Sequence, residues 1–249
     1  MLIRREDDGS VLAIGQASHA WVSGQLARAW GNAELGRVEP WEEACLGAEQ
    51  HDVGWADWDA RPTLNPETGL PYNFVELPID QRLGIWIGAA QRLVSQSGYA
   101  ALLVSMHGTA IHERWGPHGN PDVDAYLQTE YAFQERLLAG LGADPAQVRR
   151  NQRLVWTWDA LSLALCNGWG STGLEQVPAA DGEIEMRFEP LGDGRAALDP
   201  WPFEAEVVRV RAEGRSLSGV FESEAELHAA LTAAPWVTLE FDLVRRGRG

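Results

Sequence analysis

The sequence predicts a mainly α fold, a helical bundle carrying a small C-terminal β appendage. Apolar residues recur at the spacing of amphipathic helices up to about Gly170, and the period drops to two beyond Gly182. Between the periodic segments, proline, glycine, asparagine and aspartate fall where helices start and stop. The expected division is a helical domain over residues 1–175 and a β-rich appendage over residues 182–249.

The first helix runs from Gln16 to Trp30 and stops at Gly31, a residue suited to the position after a helix end. Pro40 and Trp41 open a second helix through Ala44, Cys45 and Ala48 to Gly54. Asp80 caps a third that reaches Gln96, with Leu83, Trp86, Ile87, Ala90 and Val94 on one face. A fourth starts at Tyr99 and heads toward Trp115, a fifth spans Pro121 to Ala139, and Asp144-Pro145 begin a sixth that ends near Asn167-Gly168. In the tail Ile184, Met186 and Phe188 alternate, as do Val208 and Val210, then Val237, Leu239 and Phe241. Leu191-Gly192-Asp193-Gly194 supplies a turn there, and Ser223 to Leu231 reads as one short helix. The segment from Trp55 to Ile79 has no helical stripe. Its aromatics, Trp55, Trp58, Tyr72 and Phe74, predict a packed lid, because disordered segments are poor in such residues.

Composition narrows the function. A hydrophobic content of 45% and a charged content of 22% are those of an ordinary globular chain. No apolar run approaches the ~18 residues of a membrane span, and MLIRREDDGS is acidic where a signal peptide is apolar. A cytoplasmic location with no membrane partner is the expectation. Cys45 and Cys166 sit in apolar helical patterns outside any CxxC pair and read as buried, reduced thiols. The net charge is −16, and all 20 basic residues are arginines. The absence of lysine excludes a Walker P-loop and a lysine Schiff base. The acidity argues against nucleic acid as a partner, because phosphate neutralisation dominates that affinity. A small-molecule substrate is expected instead.

The chemistry concentrates on a few inward positions. His19 is in phase with Val22, Leu26 and Trp30, and His51-Asp52 continue the stripe of Trp41, Ala44, Cys45 and Ala48. His107 is in phase with Leu103, Val104 and Ile111, and Asp159 with Val155, Trp156 and Leu163. A single histidine on an apolar face is ordinarily a satisfied core residue. An inward aspartate is rarer, since a buried carboxylate needs a partner. Together these side chains predict a metal centre, and imidazole with carboxylate suits iron, manganese or zinc, as one or two divalent ions. Gln16 shares the His19 face and is a candidate to orient ligands or substrate.

A histidine, a helix ending in His-Asp-x-Gly and a distant helical aspartate resemble the HD-domain superfamily, here in His19, His51-Asp52-Val53-Gly54 and Asp159 over residues 12 to 170. The phrases HDVGWADWD, TGLPYNF and LLVSMHG also resemble an uncharacterised bacterial family with no established reaction. The first resemblance implies an HD-domain-like bundle and metal-dependent phosphohydrolase activity, with a smaller di-iron oxygenase branch. It also implies further histidine ligands, for which His107 is the better placed. His112 lies about 140° from His107 around a continuous helix, at ~3.6 residues per turn, and becomes a ligand only if the helix breaks at Gly108. The lysine that such enzymes often carry after the His-Asp pair is replaced by Trp55, which leaves Arg61 or Arg114 to engage phosphate.

The expected function is a metal-dependent hydrolase of a small phosphoester, with Asp52 bridging metals or orienting the nucleophile and Gln16, Asp59 and Arg61 serving catalysis or substrate binding from the lid and the first helix. The alternatives are a di-iron oxygenase on the same ligands and a non-catalytic binding protein with a structural metal.

Overall fold

The computed structural model describes residues 1–247. Helix accounts for 47% of the chain and strand for 24%, and the main element is a curled, mixed, seven-stranded sheet resembling a half-barrel. This corrects the expected fold class: the molecule is neither mainly α nor a bundle with a small appendage.

The reason lies at the N-terminal end. Strands β1 (Leu2–Arg5) and β2 (Val11–Ile14) pair as a hairpin, and β2 then pairs with β8 (Val207–Leu217), setting Ile14 opposite Gly214. All residues of β2 are buried, so it has none of the alternation by which a strand is recognised. Leu12 and Ile14 face the main core, while Val11 and Ala13 pack with Leu217, Leu227 and Leu231. The remaining strands are β5 (Thr172–Ala179), β6 (Gly182–Gly192), β7 (Arg195–Asp199) and β9 (Trp236–Arg245). The sheet order is β1-β2-β8-β9-β7-β6-β5, antiparallel except for the β7–β9 pair.

The helices follow their capping chemistry. Helix α1 (Gln16–Ala29) leaves β2 through Gly15, and α2 (Trp41–Glu49) begins after Pro40. Helix α5 (Gly98–Trp115) is capped by the Ser97 side chain. Asn120 caps α6 (Pro121–Leu141) and Asp144 caps α7 (Pro145–Asn167), each followed by proline at the first helical position. Helix α8 (Glu224–Ala233) is capped by Ser223. The predicted third helix is the exception. Helix α4 (Ile79–Trp86) stops at Ile87, Gly88 adopts φ 76°, and only a 3₁₀ turn over Ala90–Leu93 follows. Ile87 and Val94, expected on a buried face, are exposed.

Helices α1, α2, α5 and α7 pack together, and their apolar faces form one core with Met186 and Phe188 of β6, Leu198 of β7, Val210 of β8 and Leu243 of β9. Two glycines let three of these helices approach closely. A Cβ at Gly24 would lie 2.7 Å from the Glu49 Cβ, and one at Gly47 would lie 2.9 Å from the Leu103 Cδ1. Small residues here draw α1, α2 and α5 near enough for short polar side chains to meet between them. Between α2 and α4, the expected lid segment is ordered as a 3₁₀ turn (Val53–Trp55), α3 (Ala56–Ala60) and a ribbon of β3 (Leu64–Asn65) with β4 (Leu70–Pro71). Among the described residues, no helix is long and apolar enough to cross a membrane.

Candidate metal centre

The first turn of α1 supplies His19, the end of α2 supplies His51 and Asp52, the middle of α5 supplies His107, and the middle of α7 supplies Asp159. These residues, far apart in sequence, come together in two groups that could hold a metal ion. His19, His51 and Asp52 form one, and His51, His107 and Asp159 the other; within each, the donor atoms lie within 4.8 Å of one another. His19, His51, Asp52 and His107 are buried, and the Asp159 side chain is 15% exposed, where the cluster opens to a pocket.

The rings of His51 and His19 are each held by a hydrogen bond that fixes which nitrogen faces the cluster. His51 Nδ1 donates to the Ala48 carbonyl at 2.8 Å, so the buried Nε2 is the free nitrogen, and it has no hydrogen-bond partner. It stands 3.6 Å from Asp52 Oδ2 and 3.4 Å from Asp159 Oδ1. His19 Nδ1 is 2.9 Å from Ser162 Oγ, which gives its own proton to the Asp159 carbonyl at 2.8 Å and accepts one from Ser23 Oγ. With that proton committed, His19 Nδ1 is the donor and Nε2 faces Asp52 Oδ2 at 2.7 Å. A contact that short needs a proton between the two atoms, and a bound cation would take its place. His107 Nε2 is 3.7 Å from Asp159 Oδ2, and its buried Nδ1 is unpartnered. Because His51 has one free nitrogen, it can serve only one ion.

The electrostatics match this geometry. Burial opposes charge on His51, but the Asp52 and Asp159 carboxylates outweigh it and push the ring up to about 9. Burial likewise opposes charge on Asp159, yet His51 first, then His107 and His19, bring it down to about 2. Asp52 is held below the usual carboxylate range against its burial, mainly by the rings of His51 and His19. His107 is pulled down to about 4 by burial and by the neighbouring His51 charge. The cluster thus keeps two carboxylates ionised in the interior beside the charged His51 ring, an arrangement that is costly and that a bound cation would offset.

His19, Asp52, His107 and Asp159 of this cluster line a pocket of about 530 Å³. Gln16 lines it beside His19 and Asp52, with its buried Oε1 unpartnered. Trp55, Phe74, Trp86 and Ile111 make apolar walls, and Val75, Trp115 and Trp169 form an exposed apolar rim. Among the described residues, Arg82 of α4 is the only arginine in the lining.

His112 belongs to neither metal group. Helix α5 is unbroken through Gly108, so His112 turns toward Trp86 and Tyr126, and it lines the pocket with Nδ1 donating to the Gly108 carbonyl. Asp59 is tied elsewhere: its carboxylate accepts from the Gln16 backbone N–H and pairs with the Met1 ammonium at 3.2 Å. Arg61 is exposed beyond the end of α3, and Arg114 lies over Trp115 and Trp156; neither is among the pocket-lining residues. Arg82 and Ser162 are functional candidates that only the structure brings to the site. Ser162 carried a legible signal, since it lies one turn after Asp159 on the same face of α7. Cys45 and Cys166 are buried free thiols remote from these groups, pushed up to about 12, chiefly by burial.

No curated protein and no solved structure matches the chain. A family model described as protein of unknown function (DUF3891) matches residues 1–219. That match, with a curled sheet as the main element, replaces the HD-domain resemblance. The resemblance rested on a few ligand positions, and such a constellation can be set on unrelated scaffolds. With most of its length matched by that model, the chain belongs to the DUF3891 family.

Proposed function

We propose that the protein is a metal-dependent hydrolase of a small phosphoester. The observation that carries the reading is the buried His51 Nε2, without a hydrogen-bond partner and within 3.6 Å of the Asp52 and Asp159 carboxylates, which themselves line an open pocket. An imidazole nitrogen left without a partner in the interior costs free energy that a cation would recover.

His19, His51, Asp52, His107 and Asp159 would hold one or two divalent ions, with iron, manganese or zinc suiting these donors. A bound ion supplies an acidified water at neutral pH and a positive charge for the developing oxyanion. Ser162 and the Ala48 carbonyl orient His19 and His51, as outer partners of metal-binding histidines commonly do. Asp159 would receive the proton of an attacking water; that it is the more exposed of the two carboxylates and lines the pocket supports this role. The aromatic walls exclude bulk water and limit the substrate to a small molecule.

Phosphate release from a panel of phosphomonoesters and phosphodiesters tests this, with protein loaded in turn with iron, manganese and zinc. Metal-dependent turnover that Asp159→Asn abolishes is expected. A fully metal-loaded protein that turns over none of the panel would contradict the phosphoester assignment.

A further inference from the structure

The pocket carries a second polar feature besides the metal groups. Arg82 lines it from α4, and its Nε is buried with no hydrogen-bond partner. No carboxylate pairs with this arginine among the described residues. The protein carries a net charge of −16, so acidic partners for an arginine are plentiful. A half-buried guanidinium without one is held for something else. Burial lowers its pKa, but guanidinium remains charged at any ordinary pH.

His112 lines the same pocket and is 2% exposed. Since Nδ1 donates to the Gly108 carbonyl, Nε2 is left as an acceptor, buried and unpartnered. The pocket therefore presents a charged donor and a neutral acceptor. Trp86 stands edge-on to the His112 ring at 6.0 Å, and Trp115 at the rim is 61% exposed. Such surfaces suit a flat apolar body.

We propose that Arg82 and His112 form the anion-recognising part of the pocket, and that the substrate is an aryl phosphate or a similarly flat, apolar-bodied phosphate ester. Arg82 donates to the phosphoryl oxygens, and His112 accepts from the hydroxyl of a singly protonated phosphoryl group. A carboxylate would satisfy only the first of these groups, so the pair favours phosphoryl over carboxylate. The proposal deepens the hydrolase reading, but its binding test does not depend on turnover.

Quenching of tryptophan fluorescence by phenylphosphonate, phenylacetate and benzyl alcohol, with the protein both metal-loaded and metal-free, provides the test. Wild-type metal-free protein should bind phenylphosphonate more tightly than phenylacetate, and benzyl alcohol most weakly. Arg82→Gln should weaken phenylphosphonate by about 10- to 100-fold, the range of a charge-assisted hydrogen bond, and leave benzyl alcohol unchanged. Arg82→Lys should recover part of the loss. The melting temperature of Arg82→Gln should equal or exceed that of wild type, because an unpaired half-buried charge has been removed. Equal phenylphosphonate affinity in wild type and Arg82→Gln would overturn the proposal, as would a wild-type preference for benzyl alcohol. Failure of the metal or hydrolase reading would instead leave the Arg82-dependent preference intact and remove only turnover.

Discussion

Ser162→Ala separates the orienting partners of the proposed metal centre from the proposed ligands themselves. Ser162 is fully buried and does not face the pocket; its Oγ receives the His19 Nδ1 proton at 2.9 Å. Removing that oxygen leaves a buried N–H without an acceptor. Such an orphan costs about 1–3 kcal/mol, which should appear as lower stability of the metal-free protein. It also frees the His19 ring to rotate or to change the nitrogen that carries its proton, and loss of an outer partner typically weakens metal affinity about 10- to 100-fold. Ser23→Ala is the control, because Ser23 donates to Ser162 and makes no hydrogen bond to His19. The assay is chelator-competition titration of metal affinity beside urea denaturation of each metal-free variant. If Ser162→Ala lowers stability but holds metal as tightly as wild type, then Ser162 is packing alone and His19 is not a ligand.

Two further expectations concern pH and the lid. His51 is raised from 6.5 to about 9, so its contribution to the metal-free protein is fully present below about 6.5 and lost as pH rises through about 9. Asp159 is lowered from 3.8 to about 2, so its contribution is present above about 3.8 and lost as pH falls through about 2. Denaturation from pH 6 to 10 should show a decline for metal-free protein that bound metal flattens, and calorimetry in buffers of differing ionisation enthalpy should record proton release on metal uptake; equal profiles with and without metal would contradict this. Asp59→Ala should destabilise by about 1–3 kcal/mol by leaving the Gln16 backbone N–H and the buried Met1 amino group without their partner, whereas Arg61→Ala should stay within about 0.5 kcal/mol with unchanged ligand binding; thermal melts and fluorescence titration decide both.

The clustering of these candidate ligands was legible because burying a carboxylate is expensive. Asp159 sits on an apolar helical face with no lysine anywhere to pair with it, and His19, His51-Asp52 and His107 are each in phase with a buried stripe. Helical phase sets His107 and His112 on different sides of α5, which runs unbroken past Gly108, and only His107 joins the His/Asp groups. The sheet was harder to read. Its N-terminal half comes from two four-residue strands, one buried on both faces, whose partner in β8 lies some two hundred residues away. The Asp8-Gly9 turn between them, with Gly9 at φ 84°, was the available hairpin signal. Asp59 could not be placed from spacing, because its partner is the chain's own terminal ammonium. Arg82 was hidden because arginine on a helix reads as surface, and only the pocket reveals that its charge is unpaired.

Elemental analysis of protein purified without added metal tests the central claim most directly, with His51→Ala and Asp159→Ala purified in parallel. Wild type should carry at least about one equivalent of iron, manganese or zinc, lose melting temperature when a chelator strips it, and recover on reloading. Both variants should lose that metal. A wild-type protein that carries none and shows no change in melting temperature with any of the three ions, or variants that retain full occupancy, would contradict the account.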